Sequence, residues 1–323
     1  MSTGPTIEST YRPWLLSLFL ETILYGVGAL QTGYYFRWYP KDHWSIKFFV
    51  LLVLFFETTQ ITFFYRSTDF RFVERFGVPQ GDLIWSDSLQ LLANYLSQFT
   101  VQIYFASRIF RLTRERGKVY KTSAVGVYVV AFLAFIQISA GIAQTVWTYK
   151  LRSYSKLNKT KPITTLQTVA SLACDIGITV YLCVFLKGNK NGLPKTESMM
   201  NSLMINAINR GMLTAVSSAL TTALFLASPD TFWFFIPLAP SSKLYMNSML
   251  ATLNMRQHFR DKYLSNDRDL HTIQMGSIHT AVQKDSAMSA VEFVKPASVT
   301  ADDEDDDGSP KTAEFPSCGS VES

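Results

Sequence analysis

The chain has 323 residues, of which 48% are hydrophobic, 14% aromatic and only 17% charged, with a formal net charge of +5. A soluble domain carries about 25% charged residues, so this composition argues against one. The positive balance is the sum of basic loops and an acidic tail, and it does not point to nucleic acid.

Seven long apolar runs organise the sequence: Trp14–Phe36, Ile46–Tyr65, Leu83–Ala106, Ser123–Trp147, Ile163–Leu186, Met199–Leu226 and Phe232–Met255. A helix needs roughly 20 apolar residues to cross the hydrocarbon core of a bilayer. The runs are continuous rather than alternating, which favours helices over a barrel. The predicted fold class is all-α, a polytopic membrane protein with seven transmembrane helices and a disordered carboxyl-terminal tail. Residues 1–13 form an extracellular or luminal amino terminus, 14–256 the bundle, and 257–323 a cytoplasmic tail.

The first run follows Arg12 and is too long for a signal-peptide core. No small-residue cleavage site follows, so it reads as a span rather than a removed signal. The second run contains Glu57. In the third, Gln90, Asn94, Gln98 and Gln102 recur every four residues, which places them on one helical face. The loop after it carries Arg108, Arg111, Arg114, Arg116, Lys118 and Lys121. After the fourth run, Asn158-Lys159-Thr160 is a glycosylation sequon, so Asn158 is a candidate acceptor and its loop is luminal if the sequon is used. The fifth run offers Thr168, Ser171, Asp175 and Thr179. The sixth offers Asn206, Arg210, Thr214, Ser217 and Thr221. The seventh is interrupted by Pro237 and Pro240, then carries Lys243, Asn247 and Asn254.

Lys and Arg bias a loop toward the cytoplasm. The basic loop after the third run, Lys187, Lys190 and Lys195 after the fifth, and Arg256, Arg260, Lys262 and Arg268 after the seventh all fall on one face. The amino terminus is therefore expected outside and the carboxyl terminus in the cytoplasm, of a plasma membrane or an endomembrane. The loop after the fourth run, with Lys150, Arg152, Lys156, Lys159 and Lys161, dissents.

Ionisable residues inside spans are costly and carry a functional hypothesis by default. Glu57 lies ten positions after Lys47, Asp175 twelve before Lys187, Arg210 eleven after Met199 and Lys243 thirteen before Arg256. At about 1.5 Å per residue all four sit near mid-bilayer. Two acids and two bases then sum to zero, and Asp175 and Arg210, on consecutive antiparallel spans, are expected to pair. The polar faces have two readings: hydrogen-bonding glue between helices, or a cavity that takes a ligand or ion. On either reading Glu57, Asn94, Gln98, Asp175, Arg210, Lys243 and Asn247 form the candidate polar core.

Cys174, Cys183 and Cys318 show neither a disulfide framework nor metal spacing. With four histidines and none clearly in a span, no metal site or cofactor is expected. The tail beyond about 264 is polar, and Asp302-Asp303-Glu304-Asp305-Asp306-Asp307 is a like-charge block that stays disordered. Either it binds a cytoplasmic partner or it is a solvated tail. No internal repeat of the kind seen in inverted-repeat transporters stands out.

Several marks together resemble a family. They are Leu24-Tyr25-Gly26 with Gln31, Tyr34 and Tyr35; Arg75-Phe76-Gly77 before Trp85-Ser86; Gln102 and Arg108; and Asp175, Thr179, Lys195-Thr196 and Asn209-Arg210-Gly211-Met212-Leu213-Thr214. The most specific is Lys243-Leu244-Tyr245-Met246-Asn247-Ser248-Met249-Leu250-Ala251-Thr252-Leu253-Asn254-Met255-Arg256. Over roughly residues 14–260 the chain resembles fungal, mostly basidiomycete, seven-span membrane proteins defined by a domain of unknown function (domain of unknown function 6534). Glu57-Thr58 stands where such proteins more often have Asp-Thr, and Arg210 where they commonly have Thr. The resemblance implies a seven-span bundle and no activity.

The leading functional expectation is a receptor-like or sensory membrane protein with a small-ligand pocket in the bundle. The runner-up is a secondary transporter or proton-linked carrier in which Glu57 or Asp175 titrates. Neither the Asp-Arg-Tyr nor the Asn-Pro-x-x-Tyr pattern of common G-protein-coupled receptors is present. No paired catalytic Asp motif, His-rich motif or Ser-His dyad supports an enzyme. The expected partners are the lipid bilayer, a small molecule and a cytoplasmic partner of the tail.

Overall fold

In the computed structural model, the described residues are 7–77, 82–114, 120–153, 156, 159–188, 194–227 and 232–257. Among them the chain is helical apart from short turns and one isolated bridge between Asp82 and Ser153. The helices are α1 (Ile7–Trp38), α2 (Trp44–Asp69, running into a π-helical turn Phe70–Glu74), α3 (Trp85–Arg114), α4 (Tyr120–Leu151), α5 (Lys161–Gly188), α6 (Pro194–Ala227), the single turn α7 (Phe235–Leu238) and α8 (241–257). The acidic block and the rest of the tail, and Asn158, lie outside the described residues.

Five segments are long and apolar enough to cross a membrane, by length and composition: Tyr11–Trp38, Trp44–Glu74, Gly126–Leu151, Lys161–Val184 and Met204–Ala227. They turn large apolar side chains outward, among them Phe19 and Leu30 on α1, Phe55 on α2, Phe132 and Phe135 on α4, Val184 on α5 and Met212 on α6. Glu21, Glu57, Gln60, Gln137, Asp175 and Arg210 among their polar residues are buried. Such an inverted surface suits lipid rather than water.

The two sequence-predicted spans outside this group differ for identifiable reasons. Helix α3 is 30 residues long but carries Ser86, Ser88, Gln90, Asn94, Ser97, Gln98 and Gln102, all buried. It packs against α2, α4 and α5, so its polar stripe meets protein rather than lipid. The seventh predicted span is broken. Pro237 and Pro240 lack the N–H that would continue a helix, and the chain makes one turn before α8 begins. The freed backbone is satisfied locally: the Ser217 hydroxyl donates to the Pro237 carbonyl at 2.7 Å, and that of Ser241 to the Leu238 carbonyl at 2.6 Å.

Consecutive long helices run antiparallel, and α8 runs parallel to α1, where Asn247 donates to the Leu24 carbonyl at 3.0 Å and Asn254 to the Gln31 carbonyl at 2.9 Å. Glycine permits this approach. A Cβ on Gly28 would stand 1.9 Å from Met246 Cε, and one on Gly126 1.6 Å from the Tyr181 ring. An aromatic cluster of Trp14, Phe64 and Phe232 closes the end of the bundle where α1 begins. Toward the other end Tyr35, Val53, Val101, Phe105, Met249 and Leu253 belong to a larger apolar core.

Candidate functional site

Three polar features stack along the bundle axis. Nearest the end where α1 begins, the π-helical turn after α2 brings Arg71 inward. Its guanidinium forks onto Asp87 at 2.6 and 3.1 Å and lies 4.3 Å from the Trp14 ring. Both side chains are almost fully buried. Planar guanidinium chemistry suits a bidentate carboxylate and an aromatic face at once.

Beside this clamp a cavity of about 90 Å³ opens among the ends of α3, α4, α5, α6 and α7. Its polar lining comes from Gln60, Gln90, Asn94, Gln144, Thr148, Thr160, Thr164, Gln167, Thr168 and Thr221, and its apolar wall from Tyr95, Phe225, Phe234 and Phe235. Among the described residues Asp87 is the one charged side chain in the lining, and Arg71 holds it. The Tyr95 hydroxyl is fixed on Gln144 Oε1 at 2.7 Å. A smaller recess of about 30 Å³ shares Tyr95, Gln167, Thr168, Thr221 and Leu238 with the cavity and continues inward to Ser171, Ser217 and Tyr245.

The recess ends on a charged layer. Tyr245 donates its hydroxyl to Asp175 Oδ2, and its oxygen lies 3.2 Å from the Ser171 hydroxyl. Arg210 Nη2 approaches Asp175 Oδ1 at 3.4 Å, and Gln102 Nε2 the same oxygen at 3.5 Å. The separation is long for a charge-assisted bond. Arg210 stacks over Phe105 at 4.3 Å, and its Nε and Nη1 have no partner among the described residues. These buried donors suit water or a ligand's hydrogen-bond acceptor.

The second half of the layer is tighter. Lys243 Nζ lies 2.6 Å from Glu21 Oε1 and 2.8 Å from Glu57 Oε2, with all three side chains fully buried. Glu57 also accepts from Ser97 and, at 3.0 Å, from Ser242, which sits 3.2 Å from Gln60 Oε1. Among the described residues Glu21 Oε2 has no partner.

Sequence reasoning named Glu57, Asp175, Arg210 and Lys243 as a neutral set. The structure adds Glu21, so three carboxylates face two cations and the neutral sum is corrected. The missed signal was an acid inside the first apolar run. The structure separates the set into two clusters, Glu21–Lys243–Glu57 and Asp175–Arg210–Tyr245. Gln98 lies between them and the cavity, donating to Ser241 at 3.2 Å and Asn94 at 3.3 Å while accepting from Gln137 at 3.2 Å. Asn94 lines the cavity, whereas Asn247 faces α1. Among the described residues no group of His, Cys, Asp and Glu could hold a metal ion. Thr160, the last residue of the sequon, is buried against the cavity.

A helical bundle with apolar exteriors and a polar, charge-bearing interior defines a membrane-embedded protein. Residues 171–258, the stretch carrying Asp175, Arg210, Tyr245 and Lys243, match a family described as of unknown function, DUF6534. No curated protein and no solved structure matches the chain.

Proposed function

We propose that this protein is a receptor-like, seven-span membrane protein that binds a small, uncharged, hydrogen-bonding ligand in the polar cavity. The observation carrying this reading is a polar cavity set among the helix ends on the side where α1 begins. Amide and hydroxyl groups line it, aromatic rings wall it, and its inner recess stops at the Tyr245–Asp175–Arg210 cluster. Concave sites with an apolar wall and a few placed polar groups are the usual form of small-molecule sites. A ligand at the recess would reach Tyr245, which bears directly on Asp175, so occupancy would bias the α5–α6 pairing.

In this reading α3 and α7–α8 complete the seven spans, the cavity faces the outside, and the tail carries the signal to a cytoplasmic partner. Glycosylation at Asn158 fits that orientation. A thermal-shift screen of small polar compounds on the purified protein, with Thr164→Phe beside the wild type, tests it. A compound that stabilises the wild type and not Thr164→Phe supports a cavity site; equal stabilisation of both contradicts it.

A second reading, a proton-linked carrier, is favoured by one observation: two carboxylates flank the single ammonium of Lys243. It requires substrate flux that Glu21→Gln and Glu57→Gln abolish.

A further inference from the structure

At the opposite end of the bundle the start of α2 and the ends of α3 and α8 enclose a second cavity of about 150 Å³. Its lining is Ile46, Phe49, Tyr104, Ser107, Arg108, Arg111, Thr252, Leu253 and Arg256. Three guanidinium groups therefore meet in one recess, with the hydroxyls of Tyr104, Ser107 and Thr252 beside them.

The three arginines are not equivalent. Arg256 is anchored: it forks onto Asp42 at 2.5 and 3.3 Å and stacks over Tyr39 at 4.3 Å. Asp42 also accepts from the Tyr35 hydroxyl at 3.2 Å. Arg108 is half-buried and reaches the Tyr104 hydroxyl, and Arg111 is exposed at the rim. Neither Arg108 nor Arg111 has a carboxylate partner among the described residues. Among the described residues Asp42 thus compensates one of three cations, which leaves two positive charges in excess. Like charges gathered without a counter-charge favour an anion between them. Arginine forks match the tetrahedral oxygens of phosphate better than a lone lysine would.

The position narrows the ligand further. The recess lies where α2 begins and α3 and α8 end; on the proposed seven-span reading, on which this inference rests, that is the level of the lipid headgroups. Basic pockets between spans at this level bind phosphorylated headgroups. We propose that the Arg108–Arg111–Arg256 recess is a phosphate-binding site, distinct from the polar cavity at the other end, that takes a terminal phosphate group, free or on a lipid headgroup.

The test measures binding of two probes to the full chain in detergent: a fluorescent short-chain phosphatidylinositol monophosphate, and inorganic phosphate as its competitor. Arg111→Gln removes an exposed side chain, so folding is preserved. It should weaken the lipid probe about tenfold, the loss of one charge-assisted contact, and Arg108→Gln with Arg111→Gln should weaken it further. Lys161→Gln, at the other end of the bundle, should leave binding unchanged. Competition by inorganic phosphate assigns the site to free phosphate, and its absence to a lipid headgroup; both support the proposal. No binding of either probe, equal binding by Arg111→Gln and wild type, or an equal loss in Lys161→Gln overturns it.

Discussion

Replacing Lys243 by Met should be among the most damaging single changes in the bundle. The ammonium sits 2.6 Å from Glu21 and 2.8 Å from Glu57, and none of the three side chains is exposed. At an effective dielectric constant of about 20, each of these attractions is worth about 6 kcal/mol before desolvation. Desolvation consumes much of that, and removal of one partner of a buried pair costs about 3–5 kcal/mol net. Two carboxylates lose their partner here at once, so the upper end applies. For a bundle of this size that corresponds to a fall in melting temperature of roughly 10–20 °C, read by loss of the monodisperse peak after heating in detergent. The decisive comparison is the triple variant Lys243→Met with Glu21→Gln and Glu57→Gln. Its neutral amides leave no uncompensated charge, so it should recover at least half of the loss. If the triple variant is no more stable than Lys243→Met alone, the ion cluster does not determine stability and the reasoning fails.

The looser pair predicts a milder pattern. Exchanging Asp175 and Arg210 should be better tolerated than either single reversal, measured by expression and thermal stability, because each single reversal buries two like charges. At Gly126 a methyl group would meet the Tyr181 ring, which is wedged between α4 and α5, so Gly126→Ala should lower stability by about 1–3 kcal/mol in thermal denaturation.

The sequence made the embedded helices legible because lipid imposes a length and a composition on each. It made Asp175 and Arg210 legible as neighbours because consecutive spans are antiparallel, so equal depth becomes proximity. Glu21 was visible as an acid in an apolar run, but its role depends on α8 lying parallel to α1, a contact between the first and last helices that no local pattern reports. The Arg71–Asp87 clamp depends on a π-helical turn that rotates Arg71 inward. The cavity depends on how five helix ends pack. The break before α8 was visible in Pro237 and Pro240, whereas the hydroxyls that satisfy it, from Ser217 and Ser241, were not.

The central claim is a polar cavity that is reached from one side and sealed on the other. Cysteine accessibility in sealed membranes, with the native cysteines replaced, measures it directly. Thr168→Cys in the cavity should react with a membrane-impermeant thiol reagent added on the side where α1 begins and not from the other side, and Val101→Cys in the apolar core should react from neither. Reaction of either position from both sides would show a path through the bundle and contradict the receptor-like account.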